Sequence, residues 1–309
     1  MSWGRGLFAS SRGRQSSAYG YYLKARITER FGDIDAALKL YDRAGEADPY
    51  SLRIPFKASL AYLRLGKVDA AQARLLKAKQ LDPNDLDIRF MLALAYSSSG
   101  QEELAGEQYE FILKKQAEAN PDNVEIVLSL ARLYYQQKKM DEAIAQYRNL
   151  LEIVPDKARV YLSLGNLLSD NGDIDAGIAN IEKALRLDPN NPDVQNSLGY
   201  LYAQKGEKLD YAVSLIKKAL EKDGDNAAYI DSLGWVYFKQ GRLDEALRQL
   251  ERAVKILADA VIYDHLGDVY FARGMTDKAL SAWRRSLELD PEQKKVREKI
   301  DEVSSGKTD

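Results

Sequence analysis

Glycine returns along this chain at a nearly fixed interval, as Gly32, Gly66, Gly100, Gly172, Gly206, Gly241 and Gly274. An alanine follows five residues later at Ala37, Ala71, Ala105, Ala246 and Ala279. A proline closes the interval at Pro49, Pro83, Pro155, Pro189 and Pro291. The spacings cluster on about 34 residues, a period that marks stacked copies of one small unit rather than a single closed core.

One copy displays the unit clearly. In DSLGWVYFKQGRLDEALRQLERAV, Asp231 to Val254, small and apolar residues fall at Leu233, Gly234 and Tyr237, then at Leu243, Ala246, Leu250 and Ala253. Within each half the spacing is three or four, the period of one helix face. Gly241 sits between the halves and can take the left-handed backbone that ends a helix. The stretch therefore reads as two antiparallel amphipathic helices, with Gly234 and Ala246 letting them approach closely. Such a pair has apolar surface on more than one side and must stack on its neighbours.

The order of residues, aromatic or Leu, Leu-Gly, Tyr, Gly, Ala, aromatic, Ala, Pro, resembles the tetratricopeptide repeat family. The resemblance implies an all-α fold, a right-handed α-solenoid superhelix of about eight helix-turn-helix units with a C-terminal capping helix. The expected units are 18–51, 52–85, 86–123, 124–157, 158–191, 192–226, 227–259 and 260–291. Residues 1–17, basic and rich in Ser and Gly, lack a helical period and are expected to be a flexible tail. Residues 292–309 read as a charged capping helix, QKKVREKIDEV, and a frayed end.

Composition narrows the function classes. A formal net charge of −2 argues against general nucleic-acid binding, which draws on a basic face. The absence of cysteine excludes disulfides, thiolate metal sites and a Cys nucleophile. No apolar run approaches the roughly 18 residues of a membrane span. As written, the sequence begins without an export or lipid-attachment signal, which implies the cytoplasm. A periplasmic or outer-membrane-associated protein would require an N-terminal signal that has been removed.

Several units depart from the pattern. Between Tyr109 and Pro121 the third unit has four additional residues, about one turn of helix, so its second helix is expected to continue through Lys114, Lys115 and Gln116. Lys138 replaces the turn glycine of the fourth unit, and Gly177 the usual alanine of the fifth. The sixth unit carries one extra residue before Ala212.

Catalytic chemistry finds little to work with. His265 is the only histidine, so a His-rich metal cluster is excluded, and a packing or hydrogen-bonded role is expected. Asp170, Asp173 and Asp175 do not follow the order of a calcium loop and suit helix N-termini instead. No phosphate-binding glycine loop is present. No enzyme activity, metal or cofactor is expected. Tyr62, Tyr96, Tyr134, Tyr202, Tyr237 and Tyr270 share one repeat position, and Tyr41, Tyr109, Tyr147 and Trp283 another, which identifies them as packing residues.

In the family that this sequence resembles, the first helix of each unit lines a concave groove. Carried over, the groove positions of the last three units are Asn196 and Tyr200, then Asp231, Trp235 and Phe238, then Asp264, Asp268 and Phe271. The aromatic rings suit an interface, unless neighbouring units use them for packing. Units one to five place six cations against four anions on this face, while units six to eight place Lys239 against Asp193, Asp231, Asp264 and Asp268. A partner there would meet carboxylate acceptors beside aromatic faces, so basic side chains or N–H donors should suit it. The Lys/Arg/Asn clamp of chaperone-cofactor members is not matched. The succession NSLGYLYAQKGEKLDYA, YIDSLGWVYFKQGRLDEAL and VIYDHLGDVYFARG is similar to the C-terminal half of bacterial tetratricopeptide proteins. Many of these are cell-envelope lipoproteins or adaptors for envelope proteases and assembly machines. The expected function is a non-enzymatic scaffold holding a protein or extended peptide. The alternative is a regulatory or targeting subunit of a separate enzyme, such as a glycosyltransferase or protease.

Overall fold

A computed structural model describes the backbone of residues 4–305 and the side chains of residues 16–305. Among them are seventeen helices and no strand. The helices form pairs: α1 (Gly4–Arg30) with α2 (Ile34–Ala47), α3 (Arg53–Arg64) with α4 (Val68–Leu81), and α5 (Leu86–Ser98) with α6 (Glu102–Ala119). They continue through α7 (Val124–Gln136), α8 (Met140–Ile153), α9 (Ala158–Asp170), α10 (Ile174–Leu187), α11 (Pro192–Lys205), α12 (Leu209–Lys222), α13 (Ala227–Lys239) and α14 (Leu243–Ile256). The last are α15 (Ala260–Ala272), α16 (Thr276–Leu289) and α17 (Lys294–Ser304). The chain divides into two compact units, 1–146 and 147–309, with the boundary inside α8.

Glycine makes the turns within pairs. Gly32, Gly66, Gly100, Gly172, Gly206, Gly241 and Gly274 all have φ between 67° and 92°, the left-handed region that costs a side-chain-bearing residue. Lys138 takes the same region at φ 59°, and Lys208 at φ 47° serves the longer turn of the sixth pair. First helices open on polar caps: Asp85, Asn123, Asn191, Asn226 and Asp259 each accept backbone N–H bonds from the first turn.

In the C-terminal unit one core runs through successive pairs, with Ile181, Leu198, Tyr202, Ile216, Ile230 and Leu250 fully buried. Helices within a pair touch where glycine removes a side chain. A Cβ on Gly234 would meet Leu250 Cγ at 2.8 Å, and one on Gly165 would meet Ile181 Cγ1 at 2.4 Å. First helices of successive pairs also touch one another, α9 to α11, α11 to α13 and α13 to α15, so they form a continuous inner layer. The N-terminal unit has separate clusters around Tyr41 and around Leu92.

The repeated tyrosines add a polar stitch. Tyr134, Tyr202 and Tyr270 donate to Glu110, Glu182 and Glu251, each on the second helix of the preceding pair, at 3.4, 2.5 and 2.9 Å. Burial, then the adjoining Glu251, pushes the Tyr270 phenol up to about 12.

One expectation is revised and one is met. The flexible tail expected over residues 1–17 is helical from Gly4 onward, because nothing between Gly4 and Ser17 stops a helix nucleated in the first unit from propagating backwards; residues 1–3 lie outside the described residues. The third unit's extra turn is found where the added residues stand: α6 has 18 residues against 14 in α4. No helix among the described residues is long and apolar enough to cross a membrane.

Candidate functional site

The expected groove residues lie on α11, α13 and α15, the inner layer of the C-terminal unit. Asn196, Asp231 and Asp264 occupy equivalent positions three residues before the glycines Gly199, Gly234 and Gly267, and Tyr200, Trp235 and Asp268 directly follow them.

Asp231 is not available to a partner. It is 6% exposed, and both of its oxygens face His265 Nδ1, at 2.9 and 3.1 Å. His265 is 5% exposed and stacks on Trp235, with ring centroids 4.1 Å apart and planes 17° apart. Burial alone pushes this imidazole down, but Asp231, with Asp264 and Asp268 beyond it, outweighs burial and holds its pKa above the ordinary value.

Asp264 and Asp268 share one ammonium. Lys299 Nζ, from α17, donates to Oδ1 of each at 2.6 Å, and Trp283 Nε1 donates to Asp268 at 3.1 Å. Burial and the neighbouring Asp264 leave the Asp268 carboxyl above its usual range in spite of Lys299. Asp193 accepts from the Tyr229 hydroxyl at 2.5 Å. The acidic groove expected from the sequence is therefore largely neutralised by this chain's own donors. Basic partner side chains lose the main reason for preferring it.

The rings are divided between packing and solvent. Trp235 is half-buried between His265 and Phe238, whose centroid is 5.1 Å away, and Lys239 Nζ lies 4.5 Å from its ring. Its Nε1 is sealed from solvent without an acceptor. Phe238 and Tyr200 are also half-buried against the core, with Tyr200 6.3 Å from His265. Burial pushes the Tyr200 phenol up, partly countered by its bond to Gln204. Phe271 stays exposed at 38%, with its ring 5.6 Å from Trp283. Neighbouring repeats thus use one side of Trp235 and leave the stripe from Tyr200 to Phe271 partly open.

Asn196 differs from its equivalents. Its Oδ1 is sealed from solvent and has no hydrogen-bond partner. It borders a hollow of about 250 Å³, together with Asn166, Tyr200, Ala228, Leu257, Val261 and Ile262. No residue pattern marks this hollow, since Leu257 and Val261 flank a loop between units. Lys299, 35 residues after Asp264 and 31 after Asp268, was missed because a charged capping helix reads as a solvated face. Among the described residues no group of His, Asp and Glu is arranged to hold a metal ion.

Family profiles described as tetratricopeptide repeat match residues 56–114, 131–172, 165–206, 226–258 and 260–293, leaving α1, α2, α12 and α17 outside the matches. The chain belongs to the tetratricopeptide repeat family. A search of curated protein sequences finds no significant match. Among solved structures, this tetratricopeptide repeat chain is similar to a tetratricopeptide repeat protein from Parabacteroides merdae, with a TM-score of 0.63 and 15% identity over 82% of this chain and 98% of that one. It is similar to PilW, a type IV pilus biogenesis factor, with a TM-score of 0.52 and 20% identity over 70% and 98%. A Thermus thermophilus tetratricopeptide repeat protein gives 0.53 and 20% over 59% and 99%. At these identities the likeness is one of fold.

Proposed function

We propose that this tetratricopeptide repeat chain is a non-enzymatic scaffold that holds partner polypeptides along α11, α13 and α15. The observation that carries this reading is the run of rings Tyr200, Trp235, Phe238 and Phe271, which packing between repeats uses only in part. Large, partly exposed rings in line on a rigid layer supply contact area at low entropic cost. Binding is spread over several repeats and weak at each one. The setting we favour is a bacterial envelope assembly or proteolysis complex, on the resemblance of residues 196–283 to envelope adaptors of this family.

Site-specific photo-crosslinking in the source organism tests the reading. A crosslinker at Phe238 or Phe271 is expected to capture a discrete set of proteins. One at Arg248, exposed on the second helix α14, is expected to capture none of them. Equal capture from Arg248 would sink the assignment of the binding face.

A further inference from the structure

We propose that the hollow between α15 and α16 is a second docking site, which takes an acidic segment of a partner polypeptide by its Glu or Asp side chains. It lies on a different side of α15 from Asp264, Asp268 and Phe271, and does not depend on the reading of the inner layer.

The hollow encloses about 560 Å³, within the ~300–1,000 Å³ of sites that receive small ligands. Its floor is Leu266, Tyr270 and Ala282, and its exposed rim carries Lys278, Arg284 and Arg285. The space has a cause in the sequence. Ala282 stands three residues past the repeat alanine, where the two preceding second helices have Leu215 and Gln249, so a longer side chain is cut back there to a methyl group.

Arg284 reverses the charge of its repeat position. Five residues past the repeat Ala or Gly, α6, α10 and α14 carry Glu110, Glu182 and Glu251, which accept Tyr134, Tyr202 and Tyr270 from the next first helix. No tyrosine of α17 calls for such an acceptor, and Arg284 has no bonded partner among the described residues. Lys278 lies 5.4 Å from the centre of the Tyr270 ring and joins no ion pair among them. Arg285 donates to Glu288 at 2.7 Å, while Glu251 is held by Tyr270. Three cations thus border the hollow with one carboxylate, Glu288, on its rim.

Guanidinium and ammonium groups donate and never accept, so their complement is an acceptor-only group, and the arginine fork can grip both oxygens of a carboxylate. Exposed pairs are individually weak, so a segment with several acidic side chains is required. Single side chains can enter the hollow as far as Leu266, which a bilayer surface cannot. The formal net charge of −2 disfavours a polyanion as long as a nucleic acid.

The test is fluorescence anisotropy on the full chain with a labelled, blocked peptide, Ala-Glu-Glu-Ala-Glu-Glu, and its Gln and Lys counterparts. The Glu peptide is expected to bind with a dissociation constant on the order of 100 μM at about 50 mM salt, weakening about tenfold by about 300 mM. The Gln peptide should bind at least about tenfold more weakly and the Lys peptide more weakly still. Arg284→Glu, which restores the acid of the equivalent positions, is expected to weaken the Glu peptide about tenfold or more without changing the melting temperature. Lys217→Glu, the same charge reversal at the same repeat position on α12, is expected to stay within about twofold. Ser281→Leu, at an exposed lining position, should fill the hollow and match the loss from Arg284→Glu. Equal losses from Arg284→Glu and Lys217→Glu would overturn the site in favour of diffuse attraction. Full affinity in Ser281→Leu, or tighter binding to anionic phospholipid vesicles or to hexauridylate than to the Glu peptide, would overturn it as well.

Discussion

Two lysines with left-handed backbone behave differently because of what their side chains reach. Lys138 takes the place of a turn glycine, is exposed, and has no bonded partner, so its conformation costs about 1–2 kcal/mol with nothing gained. Lys138→Gly is expected to stabilise by about 0.5–1 kcal/mol, after glycine's larger unfolded-state entropy is subtracted. Urea denaturation measures it. Lys208 instead donates to the Tyr202 hydroxyl at 2.9 Å and approaches Glu182 at 3.4 Å, so the matching change at Lys208 is expected to show no net gain. His265 supplies a pH signature at the same scale. Its folded pKa is raised, so the stability contributed by the Asp231 pair is fully present below the ordinary value of 6.5 and lost as pH rises through the folded pKa. Denaturation midpoints are expected to fall across that window, by at most ~1.4 kcal/mol per pH unit from this proton. The double variant Asp231→Asn, His265→Gln should lose that slope; an unchanged slope would assign it to other groups. Asp264, Asp268, Lys299 and Tyr200 face the same cluster, so the variant comparison, not the raw curve, carries the test.

At the scale of the element, α17 does more than cover the end of the stack. Its buried residue is Val296, with Ile300 and Val303 partly buried against α16, and an isolated helix of 11 residues is marginal in water. Lys299 adds a charged anchor to α15. Lys299→Met is expected to destabilise the C-terminal unit by about 2 kcal/mol, the scale of lost hydrogen bonds to charged groups. The deficit should shrink as the pH is lowered, because Asp268, raised by burial and Asp264, takes up a proton earlier than an ordinary carboxylate and then no longer repels its neighbour. Hydrogen exchange over residues 294–304 checks both the loss and its pH dependence. The element pattern itself was legible in the sequence, since Gly at all but one of the turns within pairs and Leu-Gly on α9, α11, α13 and α15 report local backbone and packing needs. The engagement of Asp231, Asp264 and Asp268 was not. A groove position says which way a residue faces, but whether another helix supplies its counter-ion depends on contacts 34 or 35 residues away.

On the scale of the C-terminal unit as a whole, nearest-neighbour packing decides how damage spreads. Each pair touches the pair before and the pair after, so stability is approximately a sum of pair terms and interface terms. Gly165 provides a local lesion: in α9 it faces Gly177 of α10, and an added methyl would meet Ile181 Cγ1 at 2.4 Å and the Gly177 carbonyl oxygen at 2.9 Å. Backbone cannot yield as a flexible side chain can, so Gly165→Ala is expected to cost about 1–3 kcal/mol. In a linear array that cost falls first on α9 and α10, then on α11 and α12 through Ile181, Val194 and Leu198 of the shared core, and fades toward α15 and α16. Hydrogen exchange resolved by peptide is expected to show that gradient, with α13 to α16 retaining most of their protection. The Phe271 crosslinks should survive with it, because α15 keeps its own neighbours α14 and α16. Uniform loss of protection from α9 to α16 would mean instead that the unit opens as one body, and a lesion at one end would then disable the whole binding face.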